Sequence, residues 1–249
     1  MRTQTIKGFV DYGVDIVLKF GGSLTRDLER CQALIGAIAV LAAEGQRILI
    51  LPGGGRTDKV IEAIDRERPL AAETAHRACA LAQDQTGLIL ADPAFSDRLV
   101  ACETLAACRA ALAQGKVAVL LPSRLLFDID PVEQTFEITS DAVGVWLAWL
   151  TGARRVAILT DVDGVFEAGR IGDPDHLIPA ISAAELLRMG HTSIDACAVA
   201  FLQARGMDCA VLNGLHPDRV AAWGRGQGAT GTAITGAAMA ADGARRAAA

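Results

Sequence analysis

The sequence has 249 residues, 24 of them basic and 29 acidic, which gives a formal net charge of -5, and 51% of its residues are hydrophobic. This composition excludes an intrinsically disordered chain, and it argues against a dedicated nucleic-acid or anionic-membrane binder because such binding needs clustered Lys and Arg. Only four of the basic residues are lysines, so any lysine chemistry must come from Lys7, Lys19, Lys59 or Lys116.

Five short apolar segments are predicted to be buried strands, because each is too short for a buried helix and most end near Gly or Pro. In chain order they cover residues 14–20, 47–51, 117–121, 155–160 and 208–212. Apolar residues recur at helical spacing over residues 28–41 and again over 194–202, the latter ahead of a predicted C-capping Gly206. This alternation predicts an α/β fold, with helices on both faces of a mainly parallel central sheet.

Several helix starts and irregular segments can also be placed. Ser182 with Glu185 and Thr192 with Asp195 fit the capping-box pattern, and Pro217 fits the first turn of a helix. A turn-rich segment, residues 122–139, separates the two halves of the chain. Residues 236–249, mostly Ala and Gly, are predicted to be a frayed, disordered tail after a single domain of residues 1–235.

The first strand ends in a motif suited to phosphate binding, formed by Lys19, Gly21, Gly22 and Ser23. Paired glycines let the backbone approach a ligand closely and turn amide groups toward an anion, while the lysine adds a positive charge. The alternative for this motif alone is an ordinary glycine turn with a solvent-facing lysine.

The second strand is followed by a similar loop, Gly53, Gly54 and Gly55, which leads into a helix beginning near Arg56. The free amides at the positive end of that helix favour an anionic group. Loops at the carboxyl ends of adjacent parallel strands face one crevice, where open α/β sheets bind their ligands. The two loops together therefore predict one phosphate site.

Neither loop is one of the common nucleotide-binding fingerprints. The Walker pattern is absent, since the only Gly-Lys pair, Gly115 and Lys116, lacks the upstream Gly and the downstream hydroxyl. A GxGxxG string occurs at residues 226–231, but no helix pattern follows it, and we interpret it as a loop. A nicotinamide-dependent dehydrogenase is therefore not favoured.

Acidic residues supply the third element of the predicted site. Asp141 follows Thr139 and Ser140 at a helix start, and Asp161 and Asp163 follow the strand that ends at residue 160. An aspartate near Lys19 could orient its ammonium group, and one in the strand-end loop could accept from ribose hydroxyls or a metal-bound water. The alternatives are a favourable charge in a helix's first turn and an ordinary turn.

The six cysteines form no CxxC pair and no zinc-type spacing with histidine, so they are interpreted as small core residues in a reducing cytosol. The N-terminus lacks the pattern of a signal peptide, and the longest apolar runs are shorter than the roughly 20 residues that span a bilayer. We therefore expect a soluble, cytoplasmic protein without a membrane partner.

Taken in order, the motifs around Lys19 to Ser23, Gly53 to Gly55, Asp141, and Thr160 to Phe166 resemble the amino acid kinase superfamily, over residues 15 to 234. The segments at residues 120–124, 138–141, 191–195 and 212–220 look closest to one branch of it, which phosphorylates [5-(aminomethyl)furan-3-yl]methyl phosphate for methanofuran-type cofactors. His76, Asp84 and Gly87 fall where that branch carries the same residues.

The resemblance implies a three-layer α-β-α sandwich with an acceptor-binding lobe, residues 14–135, and a nucleotide-binding lobe, residues 136–235. It implies transfer of the ATP γ-phosphoryl group to a phosphate monoester, with Mg²⁺ brought in by ATP rather than held by a protein site, and a homo-oligomer. The implied site residues comprise catalytic Lys19, oriented by Asp141; phosphate-binding Gly21, Gly22, Ser23, Gly53, Gly54, Gly55 and Ser140; and nucleotide-binding Thr160, Asp161, Asp163, Gly164, Val165, Phe166 and Asp195.

One departure from many relatives is the lack of a second lysine near Ser193, where this sequence has Asp195. The uridylate kinase branch also lacks that lysine, so the kinase interpretation stands and the missing charge falls to magnesium, helix amides or an arginine. Asp195 is alternatively only the capping-box partner of Thr192.

The acceptor's ammonium group would need a carboxylate, and the candidates are Asp130, Glu133, Glu137 and Asp84, the last on one helical face with His76. Each is alternatively a solvated surface charge. Two rival functions stay open: a uridylate or other small-molecule kinase, and a molybdate or other oxyanion storage protein, which shares the fold and an Asn-Gly-Leu-x-Pro segment.

Overall fold

The computed structural model describes residues 10–190 and 192–236. This part of the chain contains eight strands: β1 Ile16–Phe20, β2 Ile48–Pro52, β3 Leu99–Cys102, β4 Val117–Leu120, β5 Arg155–Thr160, β6 Ala180–Ser182, β7 Cys209–Asn213 and β8 Thr232–Thr235. Its nine α-helices are α1 Leu28–Ala43, α2 Gly55–Glu67, α3 Ala72–Leu90, α4 Leu105–Ala113, α5 Ser123–Ile129, α6 Ser140–Thr151, α7 Ala183–Met189, α8 Ala196–Arg205 and α9 Pro217–Gly224. Within the described residues, none of these helices is both long and apolar enough to cross a bilayer.

The eight strands form one sheet in the order β3-β4-β2-β1-β5-β7-β8-β6. Neighbouring strands are parallel except for the antiparallel pair β7 and β8. The sheet confirms the predicted α/β class with a mainly parallel sheet. All five predicted strands are present, whereas β3, β6 and β8, which are short and only partly buried, were missed. Strand β4 is as short but fully buried.

Strand β1 lies at the centre of the sheet, between β2 and β5, and its two faces contact different helices. Ile16, Leu18 and Phe20 belong to one apolar cluster with helix α1, while Val17 belongs to the other cluster with helix α6. Because side chains alternate along a strand, Lys19 lies on the α6 face. It is paired in register with Leu51 of β2 and Ile158 of β5, near the carboxyl ends of all three strands.

The predicted helix ends are mostly confirmed. Ser182 and Glu185 form the predicted capping box of α7, Pro217 opens α9, and Gly206 ends α8 with φ +62°. The segment 226–231 is a loop, as expected, and leads into β8. Of the predicted tail, residues 236–249, only Gly236 is among the described residues, and its amide donates to Asp208 Oδ1 at 3.1 Å. Lys7 also lies outside the described residues.

One local prediction was wrong. Asp195 is not the capping-box partner of Thr192 but is itself the N-cap of α8, because its Oδ1 accepts from the Ala198 amide at 2.6 Å. The turn-rich segment 122–139 also contains helix α5, whose first amide is bound by a side chain from α3 rather than by a local cap. A tertiary contact therefore caps the start of α5, whereas a neighbouring residue in the sequence caps α8.

Candidate active site

The centre of the site is an ion pair between Lys19 and Asp141. Their Nζ and Oδ1 atoms are 2.7 Å apart, and both side chains are largely buried. Asp141 occupies the first turn of α6, whose N-cap Thr139 accepts from the Asp141 amide at 3.2 Å. Gly144, one turn further, leaves room for the lysine stem, since a Cβ there would stand 3.0 Å from Lys19 Cβ. The predicted orienting contact is therefore present.

The two glycine loops touch each other through their backbones. Gly53 N donates to Phe20 O at 2.8 Å, which fixes the second loop to the end of β1. A Cβ on Gly22 would overlap the backbone of Gly55, and Gly55 has φ +64°, in the left-handed region that favours glycine. Glycine is thus required at these two positions by close approach and by backbone conformation.

A cavity of about 370 Å³, here called the glycine-loop cavity, opens between these loops. Four cations line it: Lys19, Arg26, Arg56 and Lys59. Of the four lysines available for lysine chemistry, Lys59 on α2 therefore lines this cavity together with Lys19. The complete lining is Lys19, Gly21, Gly22, Ser23, Arg26, Gly53, Gly54, Gly55, Arg56, Asp58, Lys59, Glu62, Thr139, Ser140 and Thr160.

Two arginines that were not predicted as site residues add positive charge to the glycine-loop cavity. Arg26 ends the short 3-10 turn Gly22–Arg26, and Arg56 follows the triple glycine at the start of α2. Each arginine lies within a few residues of a glycine loop in the sequence, and this proximity could have indicated that both line the site. Cations and free amides on the walls of one cavity favour a ligand with several negative charges.

A second cavity of about 380 Å³, here called the side cavity, adjoins the first and shares Asp58, Glu62, Thr139 and Ser140 with it. It lies between α2, α3, α5 and the start of α6. Apolar groups such as Leu70, Leu126 and Val143 form much of its wall, and Phe136 is its only aromatic apart from His76 among the described lining residues. The two cavities together could hold an elongated molecule with an anionic end.

Three of the polar residues that line the side cavity are acidic. Asp58, Glu62 and Asp65 follow at helical spacing on one face of α2, and Gln83 lines the cavity from α3. Burial raises the pKa of Asp58, and the neighbouring Glu62 raises it further, while a hydrogen bond from Cys79 opposes the shift. This acidic spacing directly after the triple glycine was a signal that the sequence reasoning missed.

The predicted acceptor-binding residues have separate locations. His76 lines the side cavity. Asp84 instead binds the start of α5, accepting from the Ser123 amide at 3.0 Å and from the Ser123 hydroxyl. Asp130, Glu133 and Glu137 are not among the residues that line the side cavity, and Glu133 lines a third cavity, between α6 and α8. The structure therefore brings only His76 of this group to the side cavity.

The predicted nucleotide-binding segment follows β5. Thr160 lines the glycine-loop cavity. Asp161 Oδ2 lies 3.7 Å from Arg26 Nη1, and both side chains of this pair are partly exposed. Asp163 accepts from Asn213 at 2.7 Å and from Arg219 at 2.8 Å. These contacts hold the loop against β7 and α9.

The rest of that segment is packed into the interior. Val165 and Phe166 are buried, and Val165 N donates to Thr232 Oγ1 at 2.8 Å. Gly164 has φ +152°, and its carbonyl accepts from Ser193 Oγ at 2.9 Å. The side chains of Val165 and Phe166 therefore contact the protein core, which leaves the backbone of this segment for any nucleotide contact.

Asp195 lies between two helix starts. Besides capping α8, its Oδ2 accepts from the Thr139 amide at 3.1 Å, the Thr139 hydroxyl at 2.7 Å and the Ala142 amide at 3.2 Å. Burial raises the pKa of Asp195, and nearby Asp141 adds to that shift, while these hydrogen bonds oppose it. Asp195 thus supports the helix turn that carries Asp141.

The arrangement suits chemistry in which charge neutralisation and positioning are the main requirements. Phosphoryl transfer is such a reaction, because the protein supplies little covalent chemistry and mainly stabilises charge on the transferred group. A sequence profile of the Amino acid kinase family matches residues 16–213, which include β1, both glycine loops, α6 and β5. The chain belongs to the amino acid kinase family. It is therefore a kinase.

Sequence relatives of known function support this membership. The chain is 32% identical over 205 residues to the [5-(aminomethyl)furan-3-yl]methyl phosphate kinase of Methanocaldococcus jannaschii, covering 82% of this chain and 90% of the relative. It is 30% identical over 226 residues to the uridylate kinase of Natronomonas pharaonis, covering 83% and 92%. Both similar proteins are named as kinases whose substrates already contain a phosphate.

Solved structures show the same fold. The uridylate kinase of Archaeoglobus fulgidus superimposes with a TM-score of 0.69 at 20% identity, covering 89% of this chain and all of that chain. The UMP kinase of Bacillus anthracis gives a TM-score of 0.69 at 18% identity, covering 89% and 96%. The predicted amino acid kinase fold is confirmed.

Proposed function

We propose that the protein transfers the γ-phosphoryl group of ATP to a small phosphate monoester, [5-(aminomethyl)furan-3-yl]methyl phosphate, and forms its diphosphate. This reaction would belong to the biosynthesis of methanofuran-type one-carbon cofactors. The observation that carries the proposal is the Lys19–Asp141 pair between two glycine loops, in a cavity that continues into a side cavity with apolar and acidic walls. The similarity to a kinase with this acceptor supports the choice of substrate.

In the proposed reaction, an oxygen of the acceptor phosphate attacks the γ-phosphorus of ATP, and the bond to the β,γ-bridging oxygen breaks as ADP leaves. An ionised phosphate oxygen needs no general base. Lys19 would neutralise charge on the migrating group, with Asp141 holding its ammonium in place at 2.7 Å. The amides of Gly21 and Gly53 already donate to Leu159 O and Phe20 O, so the other amides of the two glycine loops would bind the phosphate oxygens.

We propose that the nucleotide binds on the side of Thr160 to Phe166 and Asp195, in a lobe of residues 136–235, and the acceptor in a lobe of residues 14–135. The position of the side cavity between α2, α3 and α5 supports this division. Among the described residues, no group of three or more Asp, Glu, His or Cys side chains is placed to hold a metal ion. Magnesium commonly binds through substrate phosphates, which is the route proposed here. Cytoplasmic location and self-association remain predictions.

The test is an acceptor panel with ATP and magnesium. The aminomethylfuran phosphate should give acceptor-dependent ADP release and a product heavier by one phosphate in mass spectrometry. UMP is the main comparison, because uridylate kinases share the fold and one sequence relative has that name. ADP release that the furan phosphate does not change would contradict the substrate proposal, and faster turnover of UMP would replace it with the uridylate kinase function.

A further inference from the structure

The side cavity contains buried hydrogen-bonding atoms that have no partner in the protein. Six buried side-chain atoms in the described part of the chain lack a hydrogen bond, and three of them belong to residues lining this cavity: Asp58 Oδ1, His76 Nε2 and Gln83 Oε1. Gln83 is only 7% exposed. Buried polar atoms are normally paired, so a cluster of unpaired ones inside a cavity points to a ligand.

The chemistry of these atoms defines the ligand group that fits them. A carboxylate oxygen and an amide oxygen can only accept hydrogen bonds, so the ligand must donate. The cavity wall includes three carboxylates and, among the described lining residues, no Lys or Arg. A positively charged donor therefore complements it better than a neutral hydroxyl.

The three carboxylates are not equally free to bind. Glu62 already receives Lys59 Nζ at 2.7 and 2.9 Å, and Asp65 accepts from the Leu70 amide at 2.8 Å. Asp58 also accepts hydrogen bonds, from Cys79 and from the Gly54 backbone, but it forms no ion pair within the described residues and its Oδ1 has no partner. It lies where the two cavities meet. Asp58 is therefore the carboxylate best placed to bind a cationic group of a ligand whose phosphate lies at the glycine loops.

We propose that the side cavity selects acceptors that carry a primary ammonium group, whose N–H groups donate to the Asp58 carboxylate and to Gln83 Oε1. Apolar side chains such as Leu126 and Val143 would then contact the ring between the ammonium and the phosphate. The inference rests on the proposed function only in placing the acceptor phosphate at the glycine loops. It moves ammonium recognition from the turn-rich segment to α2 and α3.

The experiment compares [5-(aminomethyl)furan-3-yl]methyl phosphate with the analogue in which the aminomethyl group is replaced by ethyl, which has similar size and no charge. Calorimetric titration without ATP measures the two dissociation constants. The wild-type protein should bind the amine about 10- to 100-fold more tightly, as expected for hydrogen bonds to a charged group. Asp58→Asn and Gln83→Met should each reduce this preference by about 10-fold while binding the ethyl analogue nearly as the wild type does.

The matched control is Glu67→Gln. Glu67 is an exposed acid at the end of the same helix, outside both cavities, so its loss changes net charge without changing the cavity. It should leave the preference for the amine unchanged. Asp130→Asn and Glu133→Gln remove carboxylates outside the side cavity and should also have no effect. Thermal unfolding of each variant checks the fold, and Gln83→Met serves if Asp58→Asn does not fold.

The outcomes separate this inference from the proposed reaction. Equal affinity for the amine and the ethyl analogue, no binding of either, or a loss of preference in Glu67→Gln equal to that in Asp58→Asn would each overturn the ammonium site. Amine-selective binding that depends on Asp58, without ADP release when ATP is added, would support the ammonium site and overturn only the proposed reaction. Turnover of both compounds at equal rates and affinities would support the proposed reaction and overturn the ammonium site.

Discussion

The glycine-loop cavity and the side cavity share a wall but are built in opposite ways. The first is cationic and consists largely of backbone at the ends of β1 and β2, with Lys19 fixed by Asp141. The second is acidic and apolar and consists of side chains from several helices. A backbone site of this kind suits a group common to many substrates, such as phosphate, whereas a side-chain site can change from one acceptor to another without altering the sheet.

The largest expected effect comes from removing Lys19, which lies on β1 and forms an ion pair with Asp141 of α6. Lys19→Ala should lower kcat by about 10³-fold, because the charge on the transferred phosphoryl group loses a preorganised ammonium. Unfolding by urea should show a loss of up to about 3–5 kcal/mol, because Asp141 is left as a buried carboxylate without its partner, so the rates are compared where both proteins are folded. Steady-state kinetics with the acceptor and ATP measure the effect.

The control for Lys19→Ala is Lys116→Ala, which removes an equal charge at a distance from both cavities. Lys116 Nζ donates to Asp97 O at 2.8 Å near the start of β4. Its loss should leave kcat within about 2-fold of the wild type, in line with the small effects of exposed substitutions. A Lys19→Ala enzyme with a nearly normal rate would remove Lys19 from the proposed mechanism.

The backbone construction of the glycine-loop cavity predicts sensitivity to a single methyl group. Gly22→Ala should destabilise the protein by about 1–3 kcal/mol, because the new Cβ would overlap the Gly55 backbone and force the loops apart. The displaced loops should also lower kcat/KM by about 10²-fold. Denaturant unfolding and kinetics measure the two effects.

Gly36→Ala is the matched control for Gly22→Ala. Gly36 lies on the exposed face of α1, where an added Cβ meets nothing within 4 Å. Alanine in a helix interior is preferred over glycine by about 0.5–1 kcal/mol, so this variant should be slightly more stable and fully active. Equal behaviour of the two variants would refute the close contact between the loops.

The smallest expected effect concerns charges at the opposite end of β1. Asp15 accepts from Arg47 Nε and Nη2 at 3.0 Å each, and these bonds lower the pKa of Asp15 below its ordinary value of 3.8. The pair stabilises the fold at pH values above 3.8. This contribution is lost as the pH falls through the lowered pKa that Asp15 has in the folded protein. Asp15→Asn should cost about 1 kcal/mol at pH 7 and progressively less below about pH 3.8.

Urea unfolding of both proteins between pH 7 and pH 3 measures this difference, and kinetics at pH 7 should show an unchanged kcat. A stability difference that is independent of pH would mean that the Asp15 charge is not the stabilising feature. A lower kcat would mean that the amino end of β1 also affects the site. Asp15 could then no longer be described as a purely structural charge, in contrast to Lys19.

The two cavities also differ in how far the sequence predicts them. Lys19, Gly22, Gly53 and Asp141 were predicted because each lies at the end of a strand or the start of a helix, where local pattern fixes position. The strands β3, β6 and β8 are short and only partly buried and were missed, so the sheet was predicted only at its centre.

The lining of the side cavity was not predicted, apart from His76 and Ser140, because it depends on how α2, α3 and α5 pack. Asp84 illustrates the limit: its position on α3 favoured a binding role, yet its carboxylate binds Ser123 at the start of α5. Conversely, Asp58 lies three residues after the triple glycine, and Gln83 lies on the same helix as His76. Only the tertiary structure shows that both line one cavity.

The double contact of Asp195 links the site to a helix that does not line either cavity. One carboxylate closes the amino ends of both α6 and α8, through Thr139 and Ala142 on one side and Ala198 on the other. Any movement that separates α8 from α6 must break hydrogen bonds in the turn that holds Asp141 beside Lys19. The partner of the Lys19 ammonium is thus held in a turn whose hydrogen bonds come in part from the first residue before α8.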